Sequence, residues 1–593
     1  LPLLSDPRFT RDPARQDALW RVRKGLIPSV GAFRRRGTSF IIEDVVFPVE
    51  TLAEGVAGLQ ALFVTHGYDD AIVFGHAKDG NLHFVLTQAF DVERDVERYD
   101  AFMNDLARLV VDRHGGALKA EHGTGRNMAP FVEAEWGRDA FEIMRRVKRL
   151  VDPEGLLNPG VIINDDPRAH ITDLKDLPTV EDEVDQCIEC GFCESECPSR
   201  DLTLTPRQRI VVRRAMARIR SNDPDAPILR ELERDFVYDG VETCAADGMC
   251  ATACPVEIDT GALVKGIRAQ SRSEVAHEIA RIAARRFALV ESAARTALRA
   301  AHLTRAVLGE RAITTLSGLG RLLLGDGVPP WRNDLPRASR GSLPVTHGPG
   351  ASAVYFPTCV TRVLGTRGDR PLLEVLVGVS DRAGVPVVVP DDVRGRCCGM
   401  VFSSRGFRRA YVDTVNGAID AMWTWSDGGR LPVVVDMSPC AYTLKRAGPD
   451  LSESNRRRLF DLRILDGIEF AHDHVLPRIR PRRRPGTVAL HPVCSVVKMN
   501  LTEKLRAVVE SVSDAEIPIG AGCCGFAGDR GFLFPELTAA ATRNEADEVT
   551  SREYTAHYSS STTCEIGMTR ATGRPYRSFW HLLDQCMGSD PES

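Results

Sequence analysis

The chain has 593 residues, with 76 Lys and Arg against 81 Asp and Glu, a formal net charge of −5, and 43% hydrophobic residues. At roughly 150 residues per domain this length gives three to five domains, each able to bury its own core, which excludes a small disulfide-held scaffold. The nearly balanced charge and the 26% of charged residues exclude a disordered chain and give no electrostatic case for nucleic acid.

Residues 1–164 read as one α+β domain. "TSFIIEDVVF" from Thr38 is a strand, "VETLAEGVAGLQALFVTH" an amphipathic helix, and "AIVFGHAKDGNLHFVLT" two strands around an Asp79-Gly80-Asn81 turn. Helices follow at about 95–114 and 138–150, and the polar stretch 165–186 reads as a linker. A cysteine-rich, mostly helical segment occupies 187–261. In the helical segment 262–324, Arg281, Arg285, Arg286, Arg295, Arg299 and Arg305 are matched by Glu291 as the only acid between 281 and 305. Such a stripe either lies on a membrane surface or is the solvated face of a packed helix.

After a Pro/Gly-rich linker at 325–350 the chain repeats itself. "VYFPTC" ending at Cys359, "CCGM" at Cys397 and Cys398, and "DMSPC" ending at Cys440 recur as "ALHPVC" at Cys494, "CCGF" at Cys523 and Cys524, and "SSTTC" at Cys564. This predicts two tandem α/β modules, 351–480 and 485–586, each opening on a short apolar strand.

Apolar runs stay below the roughly 18 residues of a membrane span, and no N-terminal signal region is visible. The reading is a cytoplasmic protein with peripheral contact to the inner face of the membrane as the one membrane option. In that reducing compartment patterned cysteines serve as metal ligands more than as disulfides. All 16 cysteines except Cys586 are patterned.

Cys187, Cys190, Cys193 and Cys197, followed by Pro198, have the bacterial-ferredoxin spacing for a 4Fe-4S cluster, in which the fourth cysteine ligates the other cluster of a pair. Cys244, Cys250 and Cys254 fit the same template with Asp247 where the second cysteine would stand. Crossed pairing puts Cys187, Cys190, Cys193 and Cys254 on one cluster and Cys244, Cys250 and Cys197 on the other. Asp247 is then either a hard oxygen ligand or a turn cap, and the second cluster either an aspartate-ligated 4Fe-4S or a 3Fe-4S. A pair of clusters in one small domain is an electron relay and requires a donor and an acceptor.

The repeated modules resemble the CCG cysteine-rich domains of heterodisulfide reductase and of iron-sulfur subunits in glycolate- and lactate-oxidising systems. That resemblance implies a further iron-sulfur centre on Cys359, Cys397, Cys398 and Cys440, and another on Cys494, Cys523, Cys524 and Cys564. The copies here end in a single cysteine where the heterodisulfide reductase pattern ends in CxxC. A redox-active vicinal pair and an empty module are the other two readings.

In the N-terminal domain His76 and His83 flank the turn, so a hairpin brings their imidazoles together, and "EHGTG" adds Glu121 and His122. Two imidazoles and a carboxylate suit a divalent ion, Zn or Mn, with open coordination positions. "GHAKDGNLH", "EHGTG" and "DPEGLLNPG", in that order, resemble the C-terminal cap domain of the vanillyl-alcohol-oxidase-type FAD dehydrogenases, especially those acting on D-lactate and D-2-hydroxyglutarate. The resemblance covers residues 1–164 and continues through the dicluster and CCG segments of the long fused members. It implies His76, His83 and Glu121 as metal ligands, His122 as catalytic base, Asn81 beside the substrate and Asn158 on the flavin side. It also implies Arg23 as a grip on the substrate carboxylate, whereas a family substrate lysine is replaced by Ile42.

The implied activity is oxidation of a D-2-hydroxy acid to the 2-oxo acid, with electrons leaving FAD through the clusters to a quinone, cytochrome or other acceptor. No Gly-rich segment precedes Thr38 and the chain opens on Leu1, so the flavin cradle is expected outside this chain. Two readings of other kinds compete: a noncatalytic electron-transfer subunit served by a separate flavoprotein, and disulfide reduction at the CCG pairs.

Overall fold

The computed structural model describes residues 9–324, 329–346, 348, 350–366, 370–482, 484 and 486–587. The 325–350 linker expected from the sequence therefore lies partly outside the described residues. The chain divides into two compact units, Leu1–Cys190 with Ile210–Leu229, and Gly191–Arg209 with Arg230–Ser593.

The first unit is built on an antiparallel sheet of β1 (Ser39–Val46), β2 (Ile72–His76) and β3 (Asn81–Gln88), in the order β1-β3-β2. Side chains alternate across a strand. Leu82, Phe84 and Leu86 of β3 and Val45 of β1 therefore meet one core with Leu59 and Phe63 of the helix Leu52–Thr65 and Phe102 and Leu106 of the helix Glu93–Ala107. The opposite face of the same strands carries the polar residues, with Asp44 paired to His83 and His76 to Asn81 in register. The β2–β3 connection is the four residues Ala77 to Gly80, one longer than the Asp79-Gly80-Asn81 turn of the sequence reading and ending one residue earlier. Ala77–Asp79 form a 3-10 turn, Gly80 is left-handed at φ 70°, and Asn81 already opens β3. A Cβ at Gly80 would also collide with the Phe47 carbonyl, so this hairpin requires glycine.

The 165–186 stretch has neither helix nor strand, yet it is packed rather than a free tether. Ala169, Leu177 and Val184 are buried, and buried His170 meets Asp100 at 2.7 Å. A polar average hid these few apolar anchors.

The second unit contains two four-stranded parallel sheets. One joins β4 (Ala353–Phe356), β5 (Val387–Val388), β6 (Val433–Val435) and β7 (Ile464–Asp466) in the order β5-β4-β6-β7. The other joins β8 (Thr487–Leu490), β9 (Asp514–Glu516), β10 (Ala556–Ser559) and β11 (Tyr576–Ser578) in the order β11-β10-β8-β9. Read from the other edge, the second sheet has the strand order of the first, which is the structural form of the sequence repeat. Both sheets share one core containing Phe356, Val434, Phe470, Leu490, Tyr558 and Trp580. Strands buried on both faces read as the unbroken apolar runs seen in the sequence.

The helix Phe287–Leu324 is interrupted at Gly309, where φ is 82°. Its Glu291 does not serve the arginine stripe. It is buried and paired with buried Arg362, while Arg281 and Arg285 reach Asp413 and Arg299 reaches the Ser339 carbonyl. The stripe thus dresses two packed helices, Glu274–Arg285 and Phe287–Leu324, and no helix among the described residues is long and apolar enough to cross a membrane.

Candidate active site and metal centres

The polar face of the first sheet gathers the residues the sequence singled out. His76 closes β2, His83 lies on β3, and the loop after Ala120 brings Glu121 between them: Glu121 Oε1 is 3.3 Å from His76 Nε2 and 2.8 Å from His83 Nε2. One ligand atom from each of the three lies within 4.8 Å of the others. His83 is 4% exposed, but His76 and Glu121 are 40% and 51% exposed, so this cluster is anchored below and open above. Three donors with an open side are what a catalytic divalent cation requires. Burial and the neighbouring His122 hold His83 below the ordinary histidine range, which keeps its imidazole in the neutral, metal-binding form.

His122 stacks on His83 with ring centroids 4.7 Å apart, and its Nδ1 is 3.7 Å from Asp44 Oδ1. Asp44 is a residue of this cluster that the sequence reading passed over. It is fully buried, and its Oδ2 accepts hydrogen bonds from the backbone amides of Ala120, Glu121 and His122 at 3.0, 2.7 and 3.3 Å. Burial alone would raise its carboxyl. The Glu121 and Ala120 amides and Lys119 override this and hold it below the ordinary range. Asp44 therefore fixes the loop that carries Glu121 and His122, the expected metal ligand and the expected base. Its neighbour Glu43 faces the core, pairs with Lys119 and Asn127, and is pushed up by burial. The available signal was a pair of adjacent carboxylates inside an otherwise apolar strand.

Asn81 is buried on the same face, and its Oδ1 has no hydrogen-bond partner among the described residues. Asn158 is exposed in a left-handed turn at φ 43°. Arg23 lies on the helix Pro13–Phe33 with its guanidinium 5.3 Å from the Trp20 ring centroid. No described contact joins Arg23 or Asn158 to the histidine cluster.

The cysteine runs share a local geometry. Two residues after Cys187, Glu189 is left-handed at φ 58° and its amide donates to Cys187 Sγ at 3.4 Å; Gly191 follows at φ 86°. Two residues after Cys244, Ala246 is left-handed at φ 49° and its amide donates to Cys244 Sγ at 3.3 Å; Gly248 follows at φ 73°. Amides aimed at sulfur stabilise thiolate and tune the potential of a bound cluster. In the first unit, buried Arg34 and Arg214 both hold the Asp185 and Cys187 carbonyls, and Cys190 is exposed.

In the second unit Cys197, Cys244 and Cys250 are buried, and Cys193 and Cys254 are half-buried. Buried Arg209 bonds the Gly240 carbonyl and Ser199 Oγ, with Nη1 3.7 Å from Cys197 Sγ. Burial would lower its pKa, but Cys244, Cys197 and Cys250 together raise it. A buried cation ringed by cysteines fits an anionic iron-sulfur cluster. Asp247 points elsewhere: a carboxylate oxygen lies within 4.8 Å of Cys494 and Cys523 Sγ.

In both modules the cysteines follow the C-terminal ends of the parallel strands, where α/β sheets build their sites. Cys359 and Cys440 lie on short helices after β4 and β6, with Cys397 and Cys398 after β5. Cys494 and Cys564 follow β8 and β10, with Cys523 and Cys524 after β9. Cys359 and Cys397 are 3.8 Å apart, and Cys524 and Cys564 are 3.1 Å apart. Contact with Cys397 and burial push the Cys359 thiol up, and Cys398 and Cys440 are raised in the same network.

The second module differs in charge. A ring nitrogen of buried His491 lies within 4.8 Å of Cys524 and Cys564, and its Nδ1 is 2.9 Å from Glu545. Glu545 and Cys524 overcome burial and raise His491 to about 10. The Cys564 thiol and His491 in turn lower Cys524. His491 and Glu545 carry no short motif and were missed.

Comparison with known proteins agrees with this anatomy. Residues 3–162 match the FAD linked oxidases C-terminal domain, 183–258 the 4Fe-4S dicluster domain and 488–569 the cysteine-rich domain. The glycolate oxidase subunit GlcD of Bacillus subtilis is 29% identical over 144 residues, 24% of this chain and 30% of its own length. The mitochondrial D-lactate dehydrogenase [cytochrome] of Arabidopsis thaliana is 31% identical over 168 residues, 27% of this chain and 28% of its own. The D-2-hydroxyglutarate dehydrogenase of Pantoea ananatis is 26% identical over 300 residues, 42% of this chain and 29% of its own. The chain thus carries an FAD-linked oxidase C-terminal domain, a dicluster domain and a cysteine-rich domain, and spans less than a third of the length of these relatives.

Proposed function

We propose that this chain takes part in flavin-dependent oxidation of a D-2-hydroxy acid, D-lactate or D-2-hydroxyglutarate, to the 2-oxo acid. Electrons pass through its iron-sulfur centres to a quinone, cytochrome or other respiratory acceptor. The observation that carries the reading is the open cluster of His76, His83 and Glu121 with His122 stacked on it. A relay that only moved electrons would have no use for that cluster, which counts against the noncatalytic-subunit alternative.

His76, His83 and Glu121 would hold a divalent cation, which would supply Lewis-acid polarisation of a hydroxyl and carboxylate, and bound FAD would supply the hydride-accepting chemistry. The chain's own residues do the rest. His122 takes the hydroxyl proton, and buried Asp44 orients the His122 loop and favours the charge the ring then carries. Asn81 has a buried carbonyl oxygen available to a substrate donor. Arg23 is assigned the substrate carboxylate and Asn158 the flavin side on family resemblance alone.

The test is anaerobic reconstitution of the full chain with iron, sulfide, Zn or Mn, FAD and a flavin-binding partner domain, followed by D-lactate or D-2-hydroxyglutarate. The expected result is bleaching of the visible iron-sulfur absorbance, lost in His122→Asn with the bound divalent metal retained. Absence of bleaching with any D-2-hydroxy acid rejects the enzyme reading.

A further inference from the structure

Asp247 stands where the ferredoxin pattern has its second cysteine, and the backbone around it keeps the shape of a ligand loop. Ala246 and Gly248 repeat the left-handed conformations of Glu189 and Gly191, so Asp247 occupies the position of Cys190. Its side chain, however, is directed to the second cysteine-rich module. A carboxylate oxygen and the sulfurs of Cys494 and Cys523 all lie within 4.8 Å of one another. Oδ1 accepts from the Met249 amide at 3.2 Å, whereas buried Oδ2 meets no N–H or O–H donor among the described residues, and the carboxyl faces the Cys523 thiol. An unpaired buried carboxylate oxygen is costly unless a cation meets it.

The loop is also clamped to that module from its other side. Lys498, on the same short helix as Cys494, donates from Nζ to the Asp247 carbonyl and sits 3.9 Å from the Tyr442 ring centroid. Gly248 makes room for this approach, since a Cβ there would lie 3.3 Å from Lys498 Nζ and 2.9 Å from Asp259 Oδ2. The first module has no counterpart. Among the described residues its four cysteines gather no carboxylate or imidazole into a ligand-spaced group.

We propose that Asp247 is an oxygen ligand of an iron centre in the second cysteine-rich module, completing with Cys494 and Cys523 a site that the cluster loop and the module build jointly. Cys244 and Cys250 flank Asp247 in sequence, so one loop serves two centres and couples them through a few covalent bonds. The downstream cluster is left with thiolate ligands only. A carboxylate is harder than thiolate, so it marks one iron of the module's centre as distinct from its neighbours.

The inference goes beyond hydroxy-acid oxidation and does not depend on it, because its readouts involve chemical reduction and no substrate. The full chain is reconstituted anaerobically with ferrous iron and sulfide, reduced with dithionite, and examined by Mössbauer and EPR spectroscopy with iron counted per chain. Asp247→Ala, Cys494→Ala and Cys523→Ala are expected to diminish the same spectral component, and Asp247→Ala added to Cys523→Ala to remove no further iron. Asp247→Cys, which keeps a ligand in place, is expected to retain that component with altered parameters and to leave the dicluster signals unchanged. The proposal is overturned if Asp247→Cys instead converts a dicluster signal, or if Cys494→Ala and Cys523→Ala cost the chain no iron.

Discussion

Asn in place of Asp44 removes one charge and almost no volume from beneath the loop that carries Glu121 and His122. Three backbone amides converge on Oδ2 of a fully buried carboxylate, at 2.7, 3.0 and 3.3 Å. Hydrogen bonds to a charged acceptor contribute roughly 1.5–3 kcal/mol and neutral ones about 1 kcal/mol. The two shorter bonds each lose about 1 kcal/mol and the longest little, so the loop is loosened by about 2 kcal/mol. With tenfold per 1.4 kcal/mol, the amides of Ala120, Glu121 and His122 should open and exchange roughly 30-fold faster. Hydrogen-exchange mass spectrometry on peptides spanning this loop reads that factor directly. The pH dependence has a definite sign. Asp44 titrates lower in the folded protein, so its contribution is complete above about 3.8 and disappears as acid carries the pH down through the folded value. Exchange within threefold of wild type near neutral pH would show that the loop is held by something other than Asp44.

Three further expectations concern the scaffold. Burial raises Asp466 to about 6, so the folded state binds its proton more tightly and stability declines as pH rises from about 4 towards 6. Asp466→Asn keeps the cap on the Ile468 amide, and urea unfolding should show it gaining up to about 3 kcal/mol on wild type at pH 7 and nothing at pH 4; parallel pH profiles would contradict this. Glu291→Gln leaves Arg362 buried with its charge uncompensated, and a loss of roughly 3–5 kcal/mol should appear as an earlier thermal transition of the first module. Gly80→Ala forces a side chain into a left-handed turn against the Phe47 carbonyl; about 1–3 kcal/mol of strain should spread the His76–His83 pair and weaken Zn binding by roughly tenfold in calorimetry.

The strands and helices of the first domain, the repeat of the cysteine modules and the convergence of the histidines beside the β2–β3 turn were legible because each is written locally. Alternation along "NLHFVLTQ" states which side of β3 is apolar, and a tight turn obliges His76 and His83 to meet. Spacing of three and four residues likewise states how one loop wraps a cluster. Partners distant in the chain left no such trace. Asp44 read as an ordinary strand residue until its register with His83 put it under the Glu121 loop. Glu291 read as a counter-charge to neighbouring arginines until folding buried it against Arg362. Asp247 read as a ligand of its own cluster or a turn cap until folding set its carboxylate within 4.8 Å of Cys494 and Cys523. The sequence by itself determined elements and the local grouping of cysteines and histidines, since those depend on backbone geometry over a few residues. Only the tertiary structure decided which buried charges compensate one another, because that depends on which surfaces exclude water together, and segments hundreds of residues apart share such a surface only once the chain has folded.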